Sequence, residues 1–282
     1  MNYTFASLGK FESFGLRIAG PGLGNILFPW ATALVYSRDN NLVRIQTTWK
    51  NIKIGPFIRS EKDKRLYLNL FTGNDGIDGF KKFWLLNFTN KVKYFSGMDL
   101  LFKPFINDHL FVKSELLNII SPDHLNNLIN HDINSISVHI RMGDFQKPRN
   151  EDVLRSGIWN YRLPLKWYEN IINKINKICD TKIYIFSDAY DIEISDILNL
   201  KNCIRADYGS SISDMLALGS SKLLISSAST FSMWASFLGQ KSTIWFPGQM
   251  RQNLISNKHL FEGELDYEDP LPKSVIQILS ND

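Results

Sequence analysis

The sequence predicts an α/β protein built on a parallel, doubly wound sheet. Short apolar stretches alternate with longer runs of helical period through the second half of the chain, and strands alternating with helices pack as parallel sheets. Three of the apolar stretches run directly into clusters of glycine, hydroxyl or charged residues. In open α/β sheets, ligand sites lie at that carboxyl end of the strands. Composition permits a sizeable core: 282 residues, 44% hydrophobic, with 19 Phe, 10 Tyr and 7 Trp. Charged residues make up 21% with no long run of one sign, which excludes a disordered chain. The net charge of +4 fits an anionic small substrate or an anionic membrane surface and is too weak to argue for nucleic acid.

The elements follow in order. The apolar stretch 15–19 reads as a strand, about 25–38 as a helix, and 42–46 as a second strand. The stretch 47–110 is irregular and aromatic, holding Trp49, Phe57, Phe71, Phe80, Phe83, Trp84, Phe88, Tyr94 and Phe95. Such a region serves as core more often than as a sugar platform, and core is the expectation. Residues 116–129 read as helix, break, helix, with Ser121-Pro122-Asp123-His124 as a start signal. The polar stretch His131-Asp132-Ile133-Asn134 marks a boundary, dividing the chain into 1–132 and 133–282. The second half gives a strand at 135–141, a helix at 164–175 with Pro164 near its start, and a strand at 182–187. It continues with helix 191–199, strand 202–205, helix 211–219, strand 222–226, helix 230–238 and strand 242–246.

Strand 135–141 is read as half-buried. Ile136, Val138 and Ile140 face the core, and Ser135, Ser137, His139 and Arg141 share the other face. It ends in His139-Ile140-Arg141-Met142-Gly143-Asp144, which delivers an imidazole, a guanidinium and a carboxylate to one sheet end. The planar fork of arginine suits a diphosphate, and Gly143 permits a tight turn. The plainer reading is a surface salt bridge on an exit loop. Gly20-Pro21-Gly22-Leu23-Gly24-Asn25 sits between the first strand and the first helix, where backbone N–H groups can meet an anion. It is neither a dinucleotide fingerprint nor a P-loop, because the third Gly and the Gly-Lys-Ser/Thr are missing. Ser229 and Thr230 follow the apolar run 223–225 at the start of a helix, where hydroxyls cap the helix or bind phosphate.

Together, in this order and spacing, these segments resemble the α-1,2-fucosyltransferases of glycosyltransferase family 11, and the wider group with α-1,6- and protein O-fucosyltransferases. The matching motifs are Gly22-Leu23-Gly24-Asn25, His139 to Asp144, Phe186-Ser187-Asp188, Asp214-Met215-Leu216-Ala217-Leu218 and Ser229-Thr230-Phe231-Ser232-Met233-Trp234-Ala235. The chain departs from the pattern at Ile26, Met142, Ala189 and Ala228.

The resemblance implies the GT-B architecture, two Rossmann-like domains facing a cleft. The first would be the acceptor-side domain with the Gly-rich loop, and the second would bind the nucleotide sugar. It implies an inverting transfer of L-fucose from GDP-β-L-fucose to a glycan hydroxyl, galactose O2 in an α-1,2 linkage, in bacterial surface polysaccharide synthesis. By the same resemblance Arg141 binds the diphosphate, while Gly22, Gly24, Asn25, His139, Ser229, Thr230 and Phe231 contact the donor. Asp214 either reads guanine or caps its own helix. Asp188 is read as the cap of the following helix. The base that takes the acceptor proton is Asp144, unless Asp144 only orients Arg141, with Glu151 and Asp152 in reserve.

No cofactor and no metal is expected, since the chain has no Asp-x-Asp to hold one. The partners expected are GDP-fucose and a glycan acceptor, for which a lipid-linked oligosaccharide is one form. Nucleic acid is not among them, and membrane contact is at most peripheral. Cys179 and Cys203 offer no disulfide framework or zinc spacing. The N-terminal residues lack a charged, then apolar leader, and no run reaches the roughly 18 apolar residues of a membrane span. A cytoplasmic enzyme at the inner face of a bacterial membrane is the expectation. The competing readings are a same-fold transferase with another sugar nucleotide, and a non-catalytic nucleotide-sugar or glycan-binding protein.

Overall fold

The computed structural model describes residues 2–18, 20–52, 67 and 69–280. The protein is mixed α/β with parallel sheets, and it divides into two units, Met1–Asn126 and Asn127–Asp282.

The first unit contains β1 (Tyr3–Ala6), β2 (Arg17–Ile18), α1 (Leu23–Asp39), β3 (Val43–Arg44) and β4 (Asn51–Ile52). It continues through α2 (Gly79–Phe88), β5 (Val92–Phe95), α3 (His109–Ile119) and α4 (Pro122–Asn126). The central strand of its main sheet is β1, flanked in parallel by β3 and β5. The sequence reading started the sheet at 15–19 instead. Arg17 and Ile18 form a separate ladder with Asn51 and Ile52, and Ala19 lies outside the described residues. Four residues at the start of a chain are too few to show a period, so β1 left no mark in the pattern. Helix α1 begins at Leu23 because Gly22, in extended conformation, takes the N-cap position.

The aromatic stretch splits. Trp49, Phe71, Phe102 and Phe105 are core, while Phe80, Trp84 and Phe88 are exposed on α2. These three are spaced by four residues, so they share one face, and Lys82 and Leu85 are buried on the other. Phe57 lies outside the described residues. The break at Ile120-Ser121 is where the start signal puts it, but α3 starts at His109, inside the stretch read as irregular.

The second unit holds one six-stranded sheet in the order β11-β10-β9-β6-β7-β8, with every pairing parallel. Its strands are β6 (Ile136–Ile140), β7 (Ile183–Ser187), β8 (Cys203–Arg205), β9 (Leu223–Ile225), β10 (Ser242–Trp245) and β11 (Glu262–Glu264). The helices are α5 (Glu151–Arg155), α6 (Leu165–Asn176), α7 (Ser195–Leu198), α8 (Ser211–Ser220), α9 (Thr230–Gly239) and α10 (Lys273–Ser280). The chain runs outward from β6 to β8, returns to β9, and runs outward the other way. The strand order therefore reverses between β6 and β9, the doubly wound arrangement whose ligand sites lie at that switch point.

Ile136, Val138 and Ile140 pack in one core cluster with Trp167, Ile171 and Ile175 of α6 and with Val275 and Leu279 of α10. The helical residues recur every four positions, which lines them along one face. The half-buried expectation for β6 fails on the other side, where Ser137 and His139 are also buried. That face is polar by residue type and covered all the same. The predicted helix 191–199 is a 3-10 turn, Asp191–Ile194, followed by α7.

Helices α8 and α9 touch backbone to backbone. A Cβ on Gly219 would collide with the Ala235 carbonyl, and one on Gly239 would collide with the Gly219 carbonyl. Gly219→Ala should therefore cost about 1–3 kcal/mol of stability as an overpacked contact. A denaturant titration measures this, and an unchanged midpoint would show that the helices separate freely.

Candidate functional site at the strand-order reversal

Val138 of β6 pairs with Ile225 of β9, which brings the carboxyl ends of the two strands level. Beyond Ile225 the chain gives Ser226 to Ser229 and enters α9, where Ser229 is the N-cap and its Oγ accepts the Ser232 N–H at 3.4 Å. Opposite, the His139 Nδ1 lies 2.8 Å from Ser227 Oγ, 2.8 Å from Ser232 Oγ and 3.4 Å from Ser229 Oγ. The Phe231 ring sits 5.1 Å from the imidazole, tilted by 31°. His139, Ser229 and Phe231 thus come together, with the half-buried Thr230 between the last two in the chain. Ser229 also caps its helix, as the plainer reading has it. His139 Nδ1 is met by hydroxyls, not by backbone. Burial, then the nearby Arg141 charge, pushes the imidazole down to about 3 from an ordinary 6.5, so it is neutral at working pH.

Two residues on, Arg141 is held between carboxylates. Its Nη1 lies 2.7 Å from Asp188 Oδ2, its Nη2 pairs with Asp144, and the cation sits 5.3 Å from the Phe145 ring centre. The other oxygen of Asp188 accepts the Met142 N–H at 2.8 Å. Asp188 does not cap the next helix, as the sequence reading had it. The turn after it is capped at Tyr190, and Asp188 instead fastens the exit of β6. The reason is lateral. Ile140 pairs with Ser187, so the residue after β7 falls beside the residue after β6. The Phe-Ser-Asp motif was visible, but the adjacency of β6 and β7 is not written in either segment. Gly143 is required for a different reason than a tight turn. Its φ is not left-handed, but a side chain there would collide with the Asp188 carboxylate.

The other candidates fall as follows. Asp214 Oδ1 accepts the Tyr208 N–H at 2.8 Å, while the cap of α8 is Ser210, so Asp214 fastens the preceding loop and does not cap its helix. Glu151 accepts the Tyr267 hydroxyl at 2.6 Å and pairs with Arg155 at the start of α5, where Asp152 is its neighbour. Gly22, Gly24 and Asn25 lie in the first unit, at the start of α1. There the Leu23 N–H donates to the Tyr67 hydroxyl at 2.8 Å and the Asn25 N–H to the Gly22 carbonyl at 3.0 Å. Two of the backbone donors expected to meet phosphate are engaged within the unit.

Cys179 and Cys203 are free thiols, and burial pushes Cys203 up to about 12. Among the described residues no three His, Cys, Asp or Glu gather to hold a metal ion, and no helix is long and apolar enough to cross a membrane.

A family model described as "Glycosyl transferase family 11" matches residues 73–257. No curated protein matches the chain in sequence. Among solved structures, the chain is similar to POFUT1 in complex with GDP, at 14% identity over 86% of this chain and 98% of that one, with a TM-score of 0.46. It is also similar to the NodZ alpha-1,6-fucosyltransferase soaked with GDP-fucose, at 11% identity over 87% and 94% of the two chains and a TM-score of 0.41. Another match is the fucosyltransferase NodZ from Bradyrhizobium, at 11% identity over 84% and 93%, with a TM-score of 0.39.

The site carries its own pH signature. A histidine whose folded pKa is depressed to about 3 contributes stability that is present above the unfolded value near 6.5 and is lost as pH falls toward 3. Nitrogen-15 NMR of the imidazole should show His139 neutral at pH 5, and a ring protonated at pH 5.5 would contradict the buried, hydroxyl-bonded placement.

Proposed function

Because the chain belongs to glycosyl transferase family 11, we propose that it transfers L-fucose from GDP-β-L-fucose to a glycan hydroxyl with inversion at C1. The observation that carries the reading is Arg141, a guanidinium delivered to the carboxyl end of the central strand at the strand-order reversal. When the C1–O bond breaks, negative charge builds on the leaving diphosphate, and a fixed cation there stabilises the transition state. Arg141 supplies that cation, and the N-terminal turn of α9, with Ser229, Thr230 and Phe231, supplies hydroxyls and backbone donors. The neutral His139 lines the same place without adding a competing charge. Asp214 is the candidate to read guanine from the loop end it shares with Tyr208. For Gly22, Gly24 and Asn25 the family pattern alone supports a donor contact. Asp144, next to Arg141 and half exposed, is the base for the acceptor hydroxyl, and no divalent metal takes part. Galactose O2 as the acceptor atom, a lipid-linked glycan as its carrier and surface polysaccharide as its product rest on the motif resemblance.

The acceptor would then be met at a membrane. Phe80, Trp84 and Phe88 form an exposed aromatic face on α2 with Lys81 among them, a chemistry that suits an anionic bilayer surface. The protein should co-sediment with phosphatidylglycerol vesicles, and a Phe80→Ser, Phe88→Ser double variant should not. Equal sedimentation of both would remove α2 as the contact.

Calorimetry in EDTA should show GDP binding, with GDP preferred to UDP. Binding lost under chelation, a preference for UDP, or protection only by a sugar nucleotide of another base would overturn the donor assignment in favour of a related transferase. Arg141→Ala should slow GDP release from GDP-fucose by on the order of 10²–10³, since loss of one such donor removes about 2.7–4 kcal/mol of transition-state stabilisation. Binding of GDP without any turnover in the unmodified protein would favour the non-catalytic reading.

A further inference from the structure

The cluster at the exit of β6 holds one cation between two acids, and the two acids are not equivalent. Asp188 is fixed twice, by the Met142 N–H at 2.8 Å and by Arg141 Nη1 at 2.7 Å. Its backbone is pinned on both sides, because Arg205 Nη2 donates to the carbonyls of Ser187 and Ala189 at 2.7 and 3.0 Å. The space around it is closed by Gly143, which leaves no room for a side chain. Asp144 instead stands on the exit loop, with its side chain 38% exposed against 16% for Asp188, and it takes the other edge of the guanidinium at Nη2.

We propose that Asp188 is the positioning residue of Arg141, and that Asp144 is a placeholder for the donor diphosphate. The diphosphate displaces Asp144 from Nη2, and the carboxylate so released accepts the proton of the acceptor hydroxyl. This rests on the reading of the site as a GDP-fucose site. Both ends of the Arg141 fork are already taken, Nη1 by Asp188 and Nη2 by Asp144, so a diphosphate gains the guanidinium where one acid gives way. Phosphate oxygens accept from the same N–H donors, so the cation keeps its hydrogen bonds through the exchange. The acid that leaves is the exposed one, whose pair with arginine is weak, and the acid that stays is the one anchored to backbone. In the transfer, the acceptor oxygen bonds to fucose C1 and the C1–O bond to the β-phosphate breaks. The electron pair of that bond departs on GDP, and the hydroxyl proton passes to Asp144. Donor binding thus releases the base from Arg141, which holds it when no donor is present.

The test compares GDP affinity by calorimetry with GDP release from GDP-fucose, using lactose as the acceptor probe. Asp144→Asn should bind GDP about threefold more tightly than the unmodified protein, because no internal ion pair has to be broken. The same variant should turn over about a hundredfold or more slowly, because the base is gone. Asp188→Asn should weaken GDP binding about tenfold and raise KM for GDP-fucose more than it lowers kcat, since it frees the cation without touching the proton path. Gly143→Ala, which changes no charged group but drives a methyl into Asp188, should reproduce the Asp188→Asn pattern, with thermal melting confirming that each variant folds. Weaker GDP binding in Asp144→Asn, or unchanged binding in both Asp188→Asn and Gly143→Ala, would overturn the division of labour and leave the donor assignment standing. An unmodified protein that does not bind GDP would overturn the donor assignment and this inference with it.

Discussion

Strand β6 is covered on both faces, yet one face carries Ser135, Ser137 and His139. That constraint organises the second unit. A buried polar group without a partner costs about 1–3 kcal/mol, so each of these side chains must be met inside the protein. Ser221 Oγ lies 3.0 Å from Ser135 Oγ and 2.6 Å from Ser137 Oγ, and His131 Nε2 reaches the same hydroxyl at 3.2 Å. Ser227 and Ser232 meet His139. Ser221, Ser227 and Ser232 come from the segments just before and just after β9. Apolar packing alone would accept several neighbours for β6. The hydroxyls accept one, because a slip of one residue would turn Ser137 and His139 onto the apolar face and leave the serines unmatched. The strand-order reversal, and with it the site, is therefore fixed by polar matching in the core.

The same matching sets the character of the site. An imidazole buried among hydroxyls beside an arginine does not take up a second proton at neutral pH, so His139 stands there as a neutral polar wall. Serine hydroxyls also rotate to donate or accept as the ring requires, which lets α9 keep its position whichever tautomer His139 takes.

Legibility followed range. What neighbours in sequence decide was readable: the alternation of strands and helices from 135 to 246, the capping of α9 by Ser229, the delivery of His139 and Arg141 by one strand. What neighbours in space decide was not. The pattern Ser135-Ile136-Ser137-Val138-His139-Ile140 reads as half-exposed, because serine on a strand looks the same whether water or another serine lies against it. The Phe-Ser-Asp motif is legible in sequence, but the partner of Asp188 is not, since only the pairing of Ile140 with Ser187 sets it beside Arg141. Strand β1 is too short to read, and β11 and α10 fall where the alternation thins out after 246. The aromatic stretch misled in one part. Helix α2 is apolar on both faces, and composition cannot say which of them is covered.

The two acids around Arg141 are not there for stability. Ion pairs this accessible to water contribute about 0–1 kcal/mol, and salt screens them further. Their geometry has a different effect. A guanidinium on a flexible stem has many rotamers, and ordering it on arrival of a ligand would oppose binding. Asp188, itself fixed by the Met142 N–H and by the absence of a side chain at Gly143, holds one edge of the fork before any ligand comes. The other edge then points one way only. In the exchange proposed above, preorganisation by the less exposed acid and exchange at the more exposed one are separate demands, and a single carboxylate cannot meet both, because an anchor that leaves no longer positions anything. That is a physical reason for one arginine to stand between two aspartates at the end of β6.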